Sequence, residues 1–289
     1  PHFDYSLATR DLYRKLIVEK SDSTTALKEA VGNNQHLGVG NLSALVLRRA
    51  ALGIITTSYL DLLVSKDEEN RALETLDAKA SMNQGITFSL ADGFFDQSLL
   101  VGVTGKYLIA RGDGALNVSV LDAQDVSELQ NDENFLVTGS GAGADLGMML
   151  RSSSGLEPAF GLHIENVGGT VIIPQVEGAE GQVLAQTVNA GFSIKPGTKF
   201  SKLQLLLDYR DVTNVHSDNA FKKLHIGTEI SLKQFIGFTA GLHQGYPSAG
   251  LYLNLYVMRF DVGFYTQEMG DRVGDRPDTR FYFRLMGGF

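Results

Sequence analysis

Two spacings in this chain place a histidine and a carboxylate on the same side of an extended segment: His163 with Glu165, and His225 with Glu229. Side chains alternate along a strand, so residues an even number apart share a face. A His beside a carboxylate is the pairing that general-base hydrolysis uses. Neither pair has an identifiable nucleophile at a telling position, and the other His residues are scattered without a metal-ligand spacing. The chain has no Cys, which removes disulfides, thiolate chemistry and Cys-ligated metals. The run Gly139-Ser140-Gly141-Ala142-Gly143 has the outline of a phosphate loop, but the Lys-Ser/Thr that should follow is missing and a strand pattern comes next. Its glycines are expected to bend the chain into a strand over residues 144–150. The chain is thus read as no enzyme, with no cofactor and no catalytic or metal site.

Charge on alternating rows is the more persistent signal. Asp208, Arg210, Glu229, Arg259, Asp261 and Arg284 fall on the polar row of segments whose other row is apolar, as do Asp145, Arg151, His163, Glu165 and His225. Their signs are mixed, and Leu100, Met149 and Leu206 share the same side. If that side is an interior, the six form a charge network of mutually satisfied pairs rather than a selectivity filter, because an unpaired buried charge is costly.

The elements that would position these residues are legible from the C-terminal end backward. Phe281, Phe283, Leu285, Gly287 and Phe289 form a strict every-other-residue apolar row. Lipid cannot satisfy a bare strand edge, so a sheet in a membrane closes on itself and turns its apolar positions outward. Phe281, Phe283, Leu285 and Phe289 therefore read as the closing strand of an outer-membrane β-barrel and as the C-terminal signal for the barrel-assembly machinery. Strands near 248–257 and 258–265 carry the outward rows Leu251, Leu253, Leu255, Val257 and Met258, Phe260, Val262, Phe264, with a phase jump between them that implies a tight turn or a bulge.

Connections alternate short and long, as such barrels require. Residues 267–278, 244–247, 211–220, 169–181, 111–141 and 66–80 read as extracellular loops. Residues 232–234, 195–198, 152–158, 91–97 and 49–50 read as periplasmic turns. A soluble β-sandwich, the structural rival, would also alternate apolar and polar residues but would not need this strict order of connections.

Composition agrees. The 289 residues include 32 Gly and 6 Pro, and the mean hydropathy of −0.03 is what cancelling inner and outer rows produce. No apolar run approaches the length of a helical membrane span. A net charge of −8 argues against nucleic acid.

The expected fold is an all-β, antiparallel transmembrane β-barrel of about 14 strands, of which about 13 are visible, with short helices in the extracellular loops. Residues 1–35 read as a helical extracellular cap, with helices over 6–20 and 22–31, and residues 36–289 as barrel strands. A further short helix is expected over 122–131. Either residues 1–6 or a strand upstream of residue 1 must supply the missing strand, and the upstream strand is the expectation.

The segments Gly161-Leu162-His163-Ile164-Glu165-Asn166-Val167-Gly168, Leu205–Asp211 (LLLDYRD), Leu224–Glu229 (LHIGTE), Gly241–Leu253 (GLHQGYPSAGLYL) and Gly274-Asp275-Arg276-Pro277-Asp278 resemble the C-terminal half of the PorV/TraF-like relatives of the FadL superfamily of outer-membrane β-barrels. The resemblance covers residues 141–289, whereas the first half matches only in strand rhythm and lacks the Asn-Pro-Ala-Gly segment usual near the start of such proteins. It implies a bacterial outer-membrane location. PorV-like members imply a non-enzymatic barrel serving an envelope, secretion or surface complex, and FadL itself implies a channel for hydrophobic small molecules. The partners expected are outer-membrane lipid and lipopolysaccharide, the barrel-assembly machinery and a protein at the extracellular loops.

Overall fold

The computed structural model describes residues 1–20, 29–66, 74–119, 138–175, 181–196, 201–232 and 235–288. It begins with β1 (His2–Ser6), the helix α1 (Leu7–Tyr13) and a π-helical turn over Arg14–Val18. Three long hairpin partners follow: β2 (Asn34–Val46), β3 (Ala50–Lys66) and β4 (Glu74–Phe94). The wall continues with β5 (Leu99–Ser119), β6 (Thr138–Arg151) and β7 (Ala159–Glu165). After the small strands β8 (Thr170–Pro174) and β9 (Gln182–Leu184) it resumes with β10 (Thr187–Ile194) and β11 (Ser201–Tyr209). The short helix α2 (Ala220–Lys223) leads to β12 (Leu224–Leu232) and β13 (Ile236–His243). The last strands are β14 (Tyr246–Leu255), β15 (Met258–Glu268) and β16 (Pro277–Gly287).

Fourteen of these strands close into one antiparallel barrel, and β8 and β9 are not part of that ring, with β8 paired to β6 at Gly139 and Ser140. Closure is made by β1, which pairs with β16 on one side (Phe3 opposite Phe283) and β2 on the other (Phe3 opposite Val39). The strand expected upstream of residue 1 is therefore supplied by His2–Ser6, and the helical cap expected over 1–35 gives up its first residues to the wall. The physical reason is visible in the alternation: Phe3 and Tyr5 point out with Phe283 and Phe281, while His2, Asp4 and Ser6 point in. The alternation runs for only five residues before the helix α1 begins at Leu7, so it is easily absorbed into the helical segment that follows.

The core is inverted relative to a water-soluble protein. Buried side chains among the described residues are mostly polar or charged, and include Asp4, His36, Asp261, Asp278 and Arg280. The exposed set is rich in large apolar side chains drawn from strand after strand around the wall: Val39, Ile54, Phe88, Val103, Leu146, Phe160, Phe192, Leu207, Ile226, Phe238, Leu251, Val262 and Phe283. Cross-strand registers put these residues opposite one another, as in Leu251 with Val262 and Val262 with Phe283. The result is one continuous apolar belt. No helix among the described residues is long and apolar enough to cross a membrane, a criterion silent about strands.

Turn chemistry explains how the rows stay in phase. The jump between the last two outward rows is a two-residue turn, Tyr256-Val257, since Leu255 pairs directly with Met258. At the other end of β14, Gln244 and Gly245 both take positive φ (52° and 85°), the geometry of a type I′ hairpin turn. Two boundaries differ from expectation. Asp92-Gly93 lies within β4, and the turn comes at Phe95-Asp96-Gln97, all at positive φ. The loops expected over 66–80 and 111–141 shrink because β4 and β5 are each 21 residues long. The helix expected over 6–20 is α1 plus its π-helical extension, with Ser6 Oγ accepting from the Thr9 amide at its N-cap. The expected helix over 122–131 and most of the one over 22–31 lie outside the described residues.

The glycine run expected to bend the chain has a different role. Gly139, Gly141 and Gly143 lie on β6, on the inward face with Ala110, Leu108 and Lys106 opposite them. The β8–β9 hairpin packs against that face: a Cβ at Gly139 would come within 2.7 Å of Ile172 Cγ2, one at Gly141 would strike Val171 O, and one at Gly143 would strike Thr170 Oγ1. Ile172 is buried there with Leu108 and Ala110, joined by Ile55 and Leu184. The glycines make room for a second layer.

Candidate functional site

Strand alternation turns a row of polar side chains into the lumen from nearly every strand, and register decides which of them meet. Where β1, β2, β3, β15 and β16 come together, the meeting is dense. Tyr265 donates its hydroxyl to Asp4 Oδ2 at 2.6 Å, and His36 lies between Asp4 (Nε2 to Oδ2, 3.4 Å) and Asp61 (Nδ1 to Oδ1, 2.7 Å). Asn34 donates to both Asp61 and Asp278 at 3.1 Å. Arg280 closes the set on Asp278 at 2.8 Å and Asp61 at 3.5 Å. Three carboxylates thus share one guanidinium, one imidazole, an amide and a phenol. An arrangement this buried is stable because each carboxylate faces at least two donors, which converge on Oδ2 of Asp4, Oδ1 of Asp61 and Oδ2 of Asp278.

None of these residues except Arg280 and Tyr265 belongs to a segment whose inward row is legible from sequence alone. Asp4 sits on the five-residue strand that closes the barrel, and Asn34, His36 and Asp61 become neighbours only through the β2–β3 register, in which His36 faces Asp61.

Farther round, Arg259 donates to Asp261 Oδ1 at 2.8 and 2.9 Å, approaches Glu229 at 3.9 Å and stacks 3.7 Å above the Tyr252 ring. Tyr252 in turn hydrogen-bonds Ser231. Of the six charges singled out in sequence, these three come together. Arg284 stands opposite Asp261 in register but lies over Tyr282, 5.9 Å from its ring. Asp208 and Arg210 share the inward face of the β11 wall, and among the described residues neither makes an ion pair. Of the C-terminal row, Phe281, Phe283 and Leu285 face outward on β16, and Phe289 lies outside the described residues.

The two His-carboxylate spacings resolve differently. His163 and Glu165 both line a cavity of about 760 Å3 whose wall includes Ala91, Leu100, Met149 and Ala190. His225 turns not to Glu229 but to His243 across the β12–β13 register, with their Nδ1 atoms 3.1 Å apart. A second cavity, of about 770 Å3, lies on that side and shares Arg210, Asp211 and His216 with the first. On the opposite wall, Lys106 and Asp145 form an ion pair at 2.6 Å, and Asp145 also accepts the Asn166 amide at 2.8 Å, tying the wall to the base of the β8–β9 hairpin. Among the described residues no group of three or more His, Asp or Glu is placed to hold a metal ion.

The loop between β11 and β12 is built on Asp211. Its carboxylate accepts the amides of Val215 (2.8 Å), His216 (2.8 Å) and Ser217 (3.2 Å). Burial pushes its pKa up, but those three amides and the nearby Lys223 outweigh burial and hold it below the ordinary carboxylate value. Glu268 plays the same part for the loop between β15 and β16, accepting the amides of Gly270, Gly274 and Arg276, each at 2.7 Å, and the Tyr246 hydroxyl at 2.6 Å.

Comparison with known protein families and with curated proteins finds no match to this chain.

Proposed function

We propose that this protein is an integral β-barrel of the bacterial outer membrane that carries out no catalysis and serves as a structural or partner component of an envelope, secretion or surface complex. The observation that carries the membrane assignment is the inverted distribution of side chains: an apolar belt on the outside of a closed barrel and ionic clusters inside it. Water rewards the opposite arrangement, whereas lipid demands this one. The resemblance of residues 141–289 to PorV/TraF-like members of the FadL superfamily supports the same reading.

Support for a partner role over an open pore comes from the lumen. Ionic clusters tie strands together on two sides, Asp61 to His36 and Arg280 on one and Glu229 to Arg259 on the other, and the β8–β9 hairpin covers the inward face of β5 and β6. The loop-side surface, organised by Asp211 and Glu268, is where a protein partner would dock. A second reading, a FadL-like conduit for hydrophobic molecules, is favoured by the cavity lined by Ala91, Leu100, Met149 and Ala190. Planar-bilayer recording separates a plugged barrel from a general pore: no stable porin-sized conductance is expected. Such a conductance from the intact protein would overturn the partner reading. Recovery of the barrel with a stoichiometric protein from native outer membranes is the positive counterpart.

A further inference from the structure

The wall made by β11, β12, β13, β15 and β16 borders a cavity of about 770 Å3 whose lining reaches into the loop-side residues His216, Lys222 and Gln244. Its charges are lopsided. The carboxylates lining it are Asp211, Glu229 and Glu268, and each is engaged. Asp211 and Glu268 are occupied by backbone amides, and Glu229 faces Arg259. Of the lining cations, Lys222 donates to Gly270 O at 2.6 Å and Lys223 to Asn214 Oδ1. The guanidinium groups of Arg210 and Arg284 make no hydrogen bond or ion pair among the described residues, that of Arg284 lying only over the Tyr282 ring at 5.9 Å, and both line the cavity.

Among the described residues no acid stands within ion-pair distance of them. Asp261, opposite Arg284 in register, gives Oδ1 to Arg259 at 2.8 Å, and its Oδ2 makes no hydrogen bond to Arg284 or to any other described residue. Asp208, on the same face as Arg210, lines the neighbouring cavity and stands beyond ion-pair distance. The rest of this lining mixes neutral polar groups, including Thr228, Thr239 and Ser248, with the apolar residues Leu206, Ile226 and Phe264. A guanidinium offers a planar fork matched to carboxylate and phosphate oxygens. Two of them facing one cavity of engaged carboxylates favour an anion and disfavour a cation. The larger polar share of this lining suits a hydrophilic ligand better than a long apolar body, for which the adjoining cavity beside Leu100 and Met149 is the better fit.

We propose that this cavity binds a small hydrophilic oxyanion carrying two negative charges, a phosphate monoester or a dicarboxylate, with Arg210 and Arg284 as its charged partners. The proposal goes beyond the partner role and does not depend on it.

Isothermal titration of the intact barrel in detergent micelles, at mildly alkaline pH and constant ionic strength, tests the site with inorganic phosphate and with succinate. Saturable one-site binding is expected for at least one of them. Phosphate alone assigns the phosphate-ester class, and succinate alone the dicarboxylate class. Arg210→Gln and Arg284→Gln should each weaken binding about tenfold or more, the usual consequence of losing a charge-assisted hydrogen bond, and Arg210→Lys should restore part of it. Heat-modifiable mobility on gels checks that each variant is a folded barrel. No saturable binding by the wild type overturns the proposal. So does unchanged affinity in both folded Gln variants, and so does preferential binding of laurate through the same two arginines.

Discussion

Val262 and Asp261 are neighbours in the chain with opposite environments. Val262 is 44% exposed between Leu251 and Phe283, whereas Asp261 is buried beneath Arg259. Val262→Arg should destabilise the barrel by about 2–4 kcal/mol if the position lies near the bilayer midplane, measured as a lowered urea midpoint in vesicles. A spin label at 262 should be quenched by lipid-soluble oxygen; quenching at 261 and not at 262 would invert the register. Asp211 makes a second prediction. Its folded-state pKa is depressed, so the stability it contributes is present above the ordinary carboxylate value of about 4 and is lost as pH falls through the depressed value. Hydrogen exchange, corrected for its intrinsic pH dependence, should show the Val215, His216 and Ser217 amides losing protection on acidification, and Asp211→Ala should lose it at neutral pH. Equal protection in wild type and variant would remove Asp211 as the organiser of that loop.

The β8–β9 hairpin is the element most exposed to a single change. Its seat is a row of glycines on β6, and a side chain at Gly143 would occupy the place of Thr170 Oγ1, itself fully buried and hydrogen-bonded to Asn166 Oδ1 at 3.1 Å. Gly143→Val should cost about 1–3 kcal/mol by overpacking and fall on the hairpin rather than on the barrel, because β6 keeps its backbone pairing with β5 at this height. Exchange protection at Val171 and Ile172 should drop while that of Leu108 persists. Loss of the whole barrel instead would mean that the hairpin is integral to closure. Nothing in the local sequence announces this role. Alternating Gly reads equally as a bend, and only Ile172 on the other side of the contact tells the two apart.

For the molecule as a whole, the described turns between barrel strands fall at one of two ends, and the absence of native Cys makes the ends separable by labelling. Asp218, in the loop after β11, belongs to the end expected outside the cell. Tyr256, 95% exposed in the turn before β15, belongs to the opposite end. An impermeant thiol reagent on intact cells should label Asp218→Cys and leave Tyr256→Cys untouched until the outer membrane is breached. The reverse pattern would turn the protein over, and equal labelling of both would remove it from the membrane.

The fold class, the outward rows of β12 to β16 and the ends of most hairpins were readable in the chain because each rests on a period of two, interrupted by turn residues within a few positions. The turn between β13 and β14 illustrates the limit even here: Gln244 adopts positive φ without being glycine, so the turn is recognised by where the rows stop rather than by its composition. Which charges meet was not readable. Glu229, Arg259 and Asp261 join because β12, β13, β14 and β15 pair in succession in the right register, while Asp208, Arg210 and Arg284, equally inward and equally charged, do not pair among the described residues. The cluster of Asp4, His36, Asp61, Asp278 and Arg280 depends on the five-residue strand β1 closing the barrel and bringing residues from both ends of the chain onto one wall. Alternation is a local property and survives in sequence. Pairing across a closed sheet depends on register and on which strand closes it, and those are settled only when the barrel forms.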